Sequence, residues 1–106
     1  MARPKKKLTM TMMKILPEYL KLIKSGEKKA EIRQWYKNLE GQDVGLVNVH
    51  TGKLELIITI GQILNLKYLT EDELDLMLDE AKVSQEFRDS YPCNFMYMIT
   101  GTKIIH

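Results

Sequence analysis

The apolar periodicity changes between residues 16 and 33, and this change restricts the possible folds more than any other feature. Helical spacing begins around Pro17 and ends at Gly26, a typical helix end. The apolar stripe of this helix is formed by Leu16, Tyr19, Leu20 and Ile23. The period then becomes two, which predicts a strand with Ala30 and Ile32 on one face and Lys29, Glu31 and Arg33 on the other.

The rest of the chain predicts more strands than helices. "KLTMTMM" alternates Leu8, Met10 and Met12 with threonines, and residues 44–49 and 54–60 form a hairpin across "TG". Residues 94–106 supply one or two further strands. A helix begins at Thr70, where Glu73 completes a capping box, and a shorter helix runs from Ser84 to a stop before Pro92. We therefore predict an α+β fold whose five to six strands curl into a β-barrel, with two to three inserted helices.

Length and composition predict one domain. The 106 residues are 44% hydrophobic and 28% charged, which suits a single globular unit at residues 8–106 behind a basic leader at residues 1–7. No apolar run approaches a membrane span, so we expect a cytoplasmic protein without a membrane partner. Cys93 is the only cysteine, and we expect neither a metal site nor a cofactor.

The charge of the chain is unevenly distributed. Residues 1–38 carry eleven Lys or Arg against three Asp or Glu, a net +8, whereas residues 39–106 carry five against eleven, a net −6. Such asymmetry indicates an anionic partner, RNA or a nucleotide-like small molecule. The alternative is that the two halves attract each other within the fold.

The octet "GEKKAEIR" combines the groups that recognise anions and bases. Arg33 offers a planar fork to a phosphate or carboxylate, and Lys28 or Lys29 offers a point charge. Glu31 can orient Arg33 or accept a base N–H. The alternative is a surface ion pair between Glu31 and Arg33, which contributes about 0–1 kcal/mol to stability.

Aromatic residues near the octet are candidates for stacking on bases. Counting by two from Arg33 places Trp35 on the same face, and Tyr91 is a second candidate. The alternative for Trp35 is that it closes one end of the barrel.

Three segments resemble the ASCH family of PUA-like domains. They are a helix ending in Gly ("YLKLIKSG"), the octet in the pattern G-x-K-x-x-E-x-R, and the turn "GQDVGLV"; the closing "SYP…FMYMI" is also similar. The resemblance covers residues 8–105. It implies a PUA-like barrel with a cleft into which Lys28, Glu31 and Arg33 project.

The resemblance also implies two functions. RNA binding is the general role proposed for the family, and some small members are amidohydrolases that deacetylate N4-acetylcytidine nucleosides by means of the motif Lys and a nearby Thr. Lys28 matches that Lys, whereas Glu31 occupies the position of the Thr, so the catalytic pattern is broken. Glu80 and Glu86 are alternatives for the separate catalytic carboxylate.

We therefore predict a binding module for RNA or a nucleotide, which uses Lys28, Lys29, Glu31, Arg33, Trp35 and Tyr91. The alternative is a small hydrolase in which Lys28 and Glu31 are catalytic.

Overall fold

The computed structural model describes residues 10–105, and five strands in this range form one sheet. The strands are β1 (Thr11–Ile15), β2 (Ala30–Arg33), β3 (Asp43–Asn48), β4 (Leu54–Asn65) and β5 (Phe95–Ile104). The helices are α1 (Pro17–Lys24), α2 (Glu71–Glu80) and α3 (Gln85–Ser90), and a 3-10 turn spans Leu66–Tyr68. The predicted α+β class is confirmed, and the basic leader lies outside the described residues.

The sheet curls into a half-barrel. Its order is β1-β3-β4-β5-β2, with β1 parallel to β3 and every other neighbouring pair antiparallel. The register shifts once between β3 and β4, at Leu46, and twice between β4 and β5, on either side of Ile60. Such irregularities bend strands and increase their twist. The curl brings the edge strands β1 and β2 close enough for Arg33 Nη2 to donate to the Lys14 carbonyl at 2.9 Å.

Helix α1 fills the interior of the half-barrel. Pro17 occupies its first turn, and its apolar side chains pack against the inner face of the sheet. The helix ends at Ser25, and Gly26 follows with a φ of +84°, a left-handed conformation that glycine adopts without a Cβ clash. The interior core consists of Met13, Ile15, Tyr19, Leu20, Ile23, Leu39, Val44, Leu46, Leu56, Ile58, Ile60 and Tyr97.

Helices α2 and α3 cover the outer face of the sheet beside β2. Thr70 and Glu73 form the predicted capping box of α2, and the Ser84 hydroxyl caps α3. A second core lies beneath these helices; its buried members are Ala30, Ile32, Leu66, Leu78, Ala81, Val83 and Met96. Among residues 10–105, no helix is long and apolar enough to cross a membrane.

The predicted hairpin is confirmed, with β3 and β4 paired around the turn at Gly52. The last segment is one continuous strand, β5, rather than two.

The predicted apolar face of β1 was wrong. Met12 is 52% exposed, whereas Met13 and Ile15 are buried in the interior core. The side chain of Met12 lies on the outer face of the sheet, opposite the interior core. Met12 pairs with Gly45, and a Cβ built on that glycine would lie 2.5 Å from Met12 Sδ. The methionine therefore lies over a glycine on the outer face, and the odd-numbered residues face the core.

The alternative of a surface ion pair between Glu31 and Arg33 was wrong, because the pair is largely buried. Ala30 and Ile32 pack beneath α2, and Glu31, on the opposite face, is only 5% exposed. Glu31 pairs across the sheet with Tyr97, a member of the interior core. Strand β2 therefore lies between two cores, and its charged face points into the half-barrel.

Candidate functional site

A cavity of about 80 Å³ lies where the edges of β1 and β2 approach each other, and we call it the seam cavity. Its lining residues are Lys14, Ile15, Leu16, Tyr19, Lys28, Glu31, Ile32, Arg33, Val83, Phe87 and Tyr91. They come from β1, the start of α1, the octet, the α2–α3 connection and α3. The two strands it joins are far apart in the sheet order, so the cavity depends on the curl of the sheet.

Lys28 enters the seam cavity from the turn that follows α1. The backbone N–H groups of Glu27 and Lys28 both donate to the Leu22 carbonyl at 3.0 Å, which reverses the chain before β2. Lys28 is 2% exposed, and its Nζ donates to the Ala81 carbonyl at 2.6 Å. The ammonium also lies 4.7 Å from the centre of the Tyr19 ring, a cation–π distance.

Burial lowers the pKa of Lys28 below its ordinary value. The carboxylate of Glu31 opposes this effect and the guanidinium of Arg33 adds to it. The Lys28 Nζ to Glu31 Oε1 distance is 3.9 Å, beyond hydrogen-bond range, so the carboxylate offsets only part of the desolvation. The seam cavity therefore contains a buried amine, Lys28, close to the carboxylate of Glu31.

Arg33 connects Glu31 to the opposite edge strand. Its Nη2 lies 2.7 Å from Glu31 Oε2 and also donates to the Lys14 carbonyl. Its Nε is buried and has no hydrogen-bond partner among the described residues. A buried N–H without a partner is costly, and a ligand acceptor in the cavity would satisfy it.

Aromatic rings form one wall of the seam cavity. Tyr19 and Phe87 meet edge to face with centroids 5.7 Å apart, and Phe87 contacts Tyr91 at 4.6 Å. The Tyr19 and Ser84 hydroxyls are 3.3 Å apart. The Tyr91 hydroxyl accepts from the Gln34 N–H at 3.3 Å, which leaves its own proton available to a ligand.

The structure brings four of the six predicted site residues together: Lys28, Glu31, Arg33 and Tyr91 all line the seam cavity. Lys29 points elsewhere and lines two other depressions. Trp35 is 37% exposed and does not line the seam cavity. Strand β2 ends at Arg33, so counting by two does not extend to Trp35, whose ring packs against Tyr97.

Sequence reasoning missed Lys14, Tyr19 and Phe87 as lining residues. Tyr19 was assigned to the helix stripe, and it is indeed buried, but its ring faces Lys28 as well as the core. No sequence signal marks Lys14 or Phe87, because both approach the octet only through tertiary contacts.

Neither candidate for a second carboxylate lies in the seam cavity. Glu80 lines a different cavity, and Glu86 is an exposed residue of α3. Glu31 is the only carboxylate among the lining residues of the seam cavity. In the part of the chain that the structure describes, no group of three His, Cys, Asp or Glu side chains is arranged to hold a metal ion.

Comparison with known proteins identifies the family. The family model of the ASCH domain matches residues 13–103. The chain belongs to the ASCH family. No curated protein matches its sequence significantly.

Solved structures of ASCH domains share the fold. The ASCH protein from Zymomonas mobilis superposes with a TM-score of 0.71 at 15% identity, covering 90% of this chain and 69% of that one. A variant of the same protein with one tyrosine replaced by phenylalanine gives 0.62 at 12% identity, covering 90% and 71%. A variant with one serine replaced by alanine gives 0.60 at 13% identity, covering 90% and 70%. At these identities the likeness shows the fold alone.

In this ASCH domain, each residue that the G-x-K-x-x-E-x-R motif specifies has a distinct structural position. Gly26 supplies the left-handed turn, Lys28 reaches the α2 end, Glu31 faces the interior, and Arg33 reaches β1. The G-x-K-x-x-E-x-R spacing therefore places three charges in one cavity, although only Glu31 and Arg33 share a strand face.

Proposed function

We propose that this ASCH domain binds RNA or a nucleotide-like molecule at the seam cavity. The observation that carries the proposal is the convergence of Lys28, Glu31 and Arg33 beside aromatic rings, with Arg33 Nε lacking a partner in the described chain. A cavity of this size admits a phosphate or the edge of a base, with the remainder of the ligand outside. RNA binding is also the role that the family resemblance implies.

The donors and acceptors of the seam cavity suit a polar planar group. Arg33 Nε and Lys28 Nζ are donors, and Glu31 Oε1 is an acceptor that lies 3.9 Å from the Lys28 ammonium, beyond hydrogen-bond distance. Base edges present both acceptors and N–H donors, and their faces stack on aromatic side chains. Lys14 lines the seam cavity and is exposed, and we expect its ammonium to add a positive charge for a phosphate outside the cavity.

Fluorescence anisotropy with short single-stranded RNA tests this proposal. The protein should bind at low salt, with an affinity that falls as salt rises, because phosphate contacts release counterions. Lys14→Gln should weaken binding and reduce the salt slope by about one. Lys53→Gln, which removes the same charge from an exposed turn, is the matched control and should have less effect.

Two results would contradict the proposal. One is the absence of binding at low salt by the parent protein. The other is an equal loss of affinity in Lys14→Gln and Lys53→Gln, which would show a diffuse electrostatic attraction without a site at the seam cavity.

A second candidate function, amidohydrolysis of N4-acetylcytidine, is favoured by one observation: burial lowers the pKa of Lys28, as a general base requires. Glu31 stands where the resemblance places the catalytic Thr, so we expect slow conversion or none. Chromatographic detection of cytidine measures the rate of this reaction. Rapid conversion of N4-acetylcytidine to cytidine by the parent, lost in Lys28→Met, would show that the protein is an amidohydrolase and would contradict the binding proposal.

A further inference from the structure

A second cavity of about 220 Å³ lies between α2 and the outer face of the sheet, and we call it the α2 cavity. Its lining residues are Glu27, Lys29, Ala30, Leu64, Met77, Glu80, Ala81, Met96 and Met98. It adjoins the second core, because Ala30, Ala81 and Met96 belong to both. Ala81 connects the two cavities: it lines the α2 cavity, and its carbonyl accepts the hydrogen bond from Lys28 in the seam cavity.

Small side chains account for the space. Ala30 on β2 and Ala81 at the end of α2 are both buried, and neither fills the gap between the helix and the sheet. Ala30 pairs with Met98, and Met96 pairs with both Ile32 and Leu64, so the methionines form the floor. Protein interiors are normally close-packed, whereas this cavity opens to solvent and leaves one side of the methionine side chains without a packing partner.

Charged residues surround the opening of the α2 cavity. Glu27, Lys29 and Glu80 are exposed, which gives the rim a formal charge of −1. Glu27 Oε2 accepts from the Ser25 hydroxyl at 2.8 Å. Neither Lys29 nor Glu80 takes part in an ion pair between described residues. The carboxylates therefore favour a cation at the opening.

We propose that the α2 cavity is a second ligand site and that it binds a small aromatic amine. The ring lies among Met77, Met96 and Met98, whose thioethers make favourable contacts with aromatic rings. The ammonium lies at the rim near Glu80. An apolar cavity of about 150 Å³ accepts a benzene ring, so this one accommodates a ring with a short chain. This site is independent of the function proposed for the seam cavity.

Nuclear magnetic resonance of methionine methyl groups tests the proposal, with phenethylamine as the probe. The methyl signals of Met77, Met96 and Met98 should shift in a saturable manner. Met12, which is exposed on the outer face near β3, is the internal control and should not shift. Two further probes define the ligand class: 3-phenylpropanoate reverses the charge, and hexylamine lacks the ring. Both should bind more weakly than phenethylamine.

Two exposed glutamates provide matched variants. Glu80→Gln removes a rim carboxylate and should weaken phenethylamine binding roughly two- to five-fold, the effect of one exposed charge. Glu86→Gln makes the same change on α3, outside the cavity, and should bind like the parent. Ala30→Val narrows the cavity and should weaken binding further; if it does not fold, the glutamate pair carries the test.

Three results would overturn the proposal: no shift at Met77, Met96 and Met98, an equal affinity for 3-phenylpropanoate or hexylamine, or equal binding by Glu80→Gln and Glu86→Gln. The first result would show that the α2 cavity is not a ligand site, and either of the other two would show that its ligand is not an aromatic amine.

Discussion

Lys28, Glu31 and Arg33 form a charged group with little exposure to water. The Glu31 and Arg33 side chains are 6% and 15% exposed, and that of Lys28 is 1% exposed. Removing charges from water is costly, and their mutual attraction and hydrogen bonds repay the cost only in part. This arrangement does not resemble the surface ion pair that was considered as the alternative. Apolar residues would stabilise the fold as well at these positions, which supports the binding site proposed for the seam cavity.

The pKa of Lys28 gives a prediction for stability against pH. Because folding lowers this pKa from 10.5, the unfolded chain binds more protons between the folded value and 10.5. The free energy of unfolding of the parent, relative to Lys28→Met, should therefore rise with pH through that interval, by at most about 1.4 kcal/mol per pH unit. Denaturant titrations of both proteins from pH 7 upward measure it.

The neighbouring Lys29 is the control for this measurement. It is exposed, so Lys29→Met removes a lysine side chain from the same segment and leaves the buried ammonium of Lys28 in place. Parallel curves for the parent and Lys28→Met would show that the buried ammonium is not desolvated in solution.

At the scale of elements, β2 is stabilised on both faces and closes the half-barrel through a side chain. Arg33 reaches from β2 to the Lys14 carbonyl on β1, where a further strand would otherwise supply backbone hydrogen bonds. Helices α2 and α3 are tied together by Arg88, which contacts Asp79 and donates to the Val83 carbonyl. This connection holds Val83 at the wall of the seam cavity.

Arg33→Ala should destabilise the fold. It leaves the Glu31 carboxylate buried without its partner and removes the link to β1, so we expect a loss of roughly 3 kcal/mol. Because Glu31→Ala removes the stranded charge, the double variant should be more stable than Arg33→Ala. Urea denaturation of the parent, the two single variants and the double variant measures this coupling.

Lys24→Ala is the matched control for this cycle. Lys24 pairs with Glu55 at 2.7 Å, with side chains 32% and 27% exposed, and its removal should cost about 1 kcal/mol or less. A loss in Arg33→Ala no larger than that in Lys24→Ala would mean that the Glu31–Arg33 pair is solvated.

At the scale of the whole molecule, few ion pairs join the described parts of the two oppositely charged halves. Five ion pairs occur within residues 10–105, and only Lys24–Glu55 joins residues 1–38 to residues 39–106. Of the other four, two lie within the octet in the first half, and two join α2 to Arg88 in the second half. Most Lys and Arg side chains of residues 10–38 therefore form no ion pair with residues 39–105, which leaves them available to the anionic partner that the RNA-binding proposal requires.

The amino-acid sequence by itself determined the features that depend on near neighbours. The helix stop at Gly26, the capping box of α2, the hairpin of β3 and β4 and the spacing of the octet all follow from residues a few positions apart. Because these local patterns mark the order of helices and strands, the α+β class and the membership of the ASCH family were predicted correctly.

Only the tertiary structure decided which faces are buried and which residues meet. Periodicity shows that β2 has two faces, but it cannot show that α2 covers one and that the curl of the sheet encloses the other. Glu31 is therefore buried although a surface ion pair was the alternative, and Met12 is exposed on the outer face of the sheet. Trp35 lies outside the seam cavity, and Tyr19 and Phe87 lie on it. These positions depend on contacts between residues distant in the chain, which no local pattern encodes.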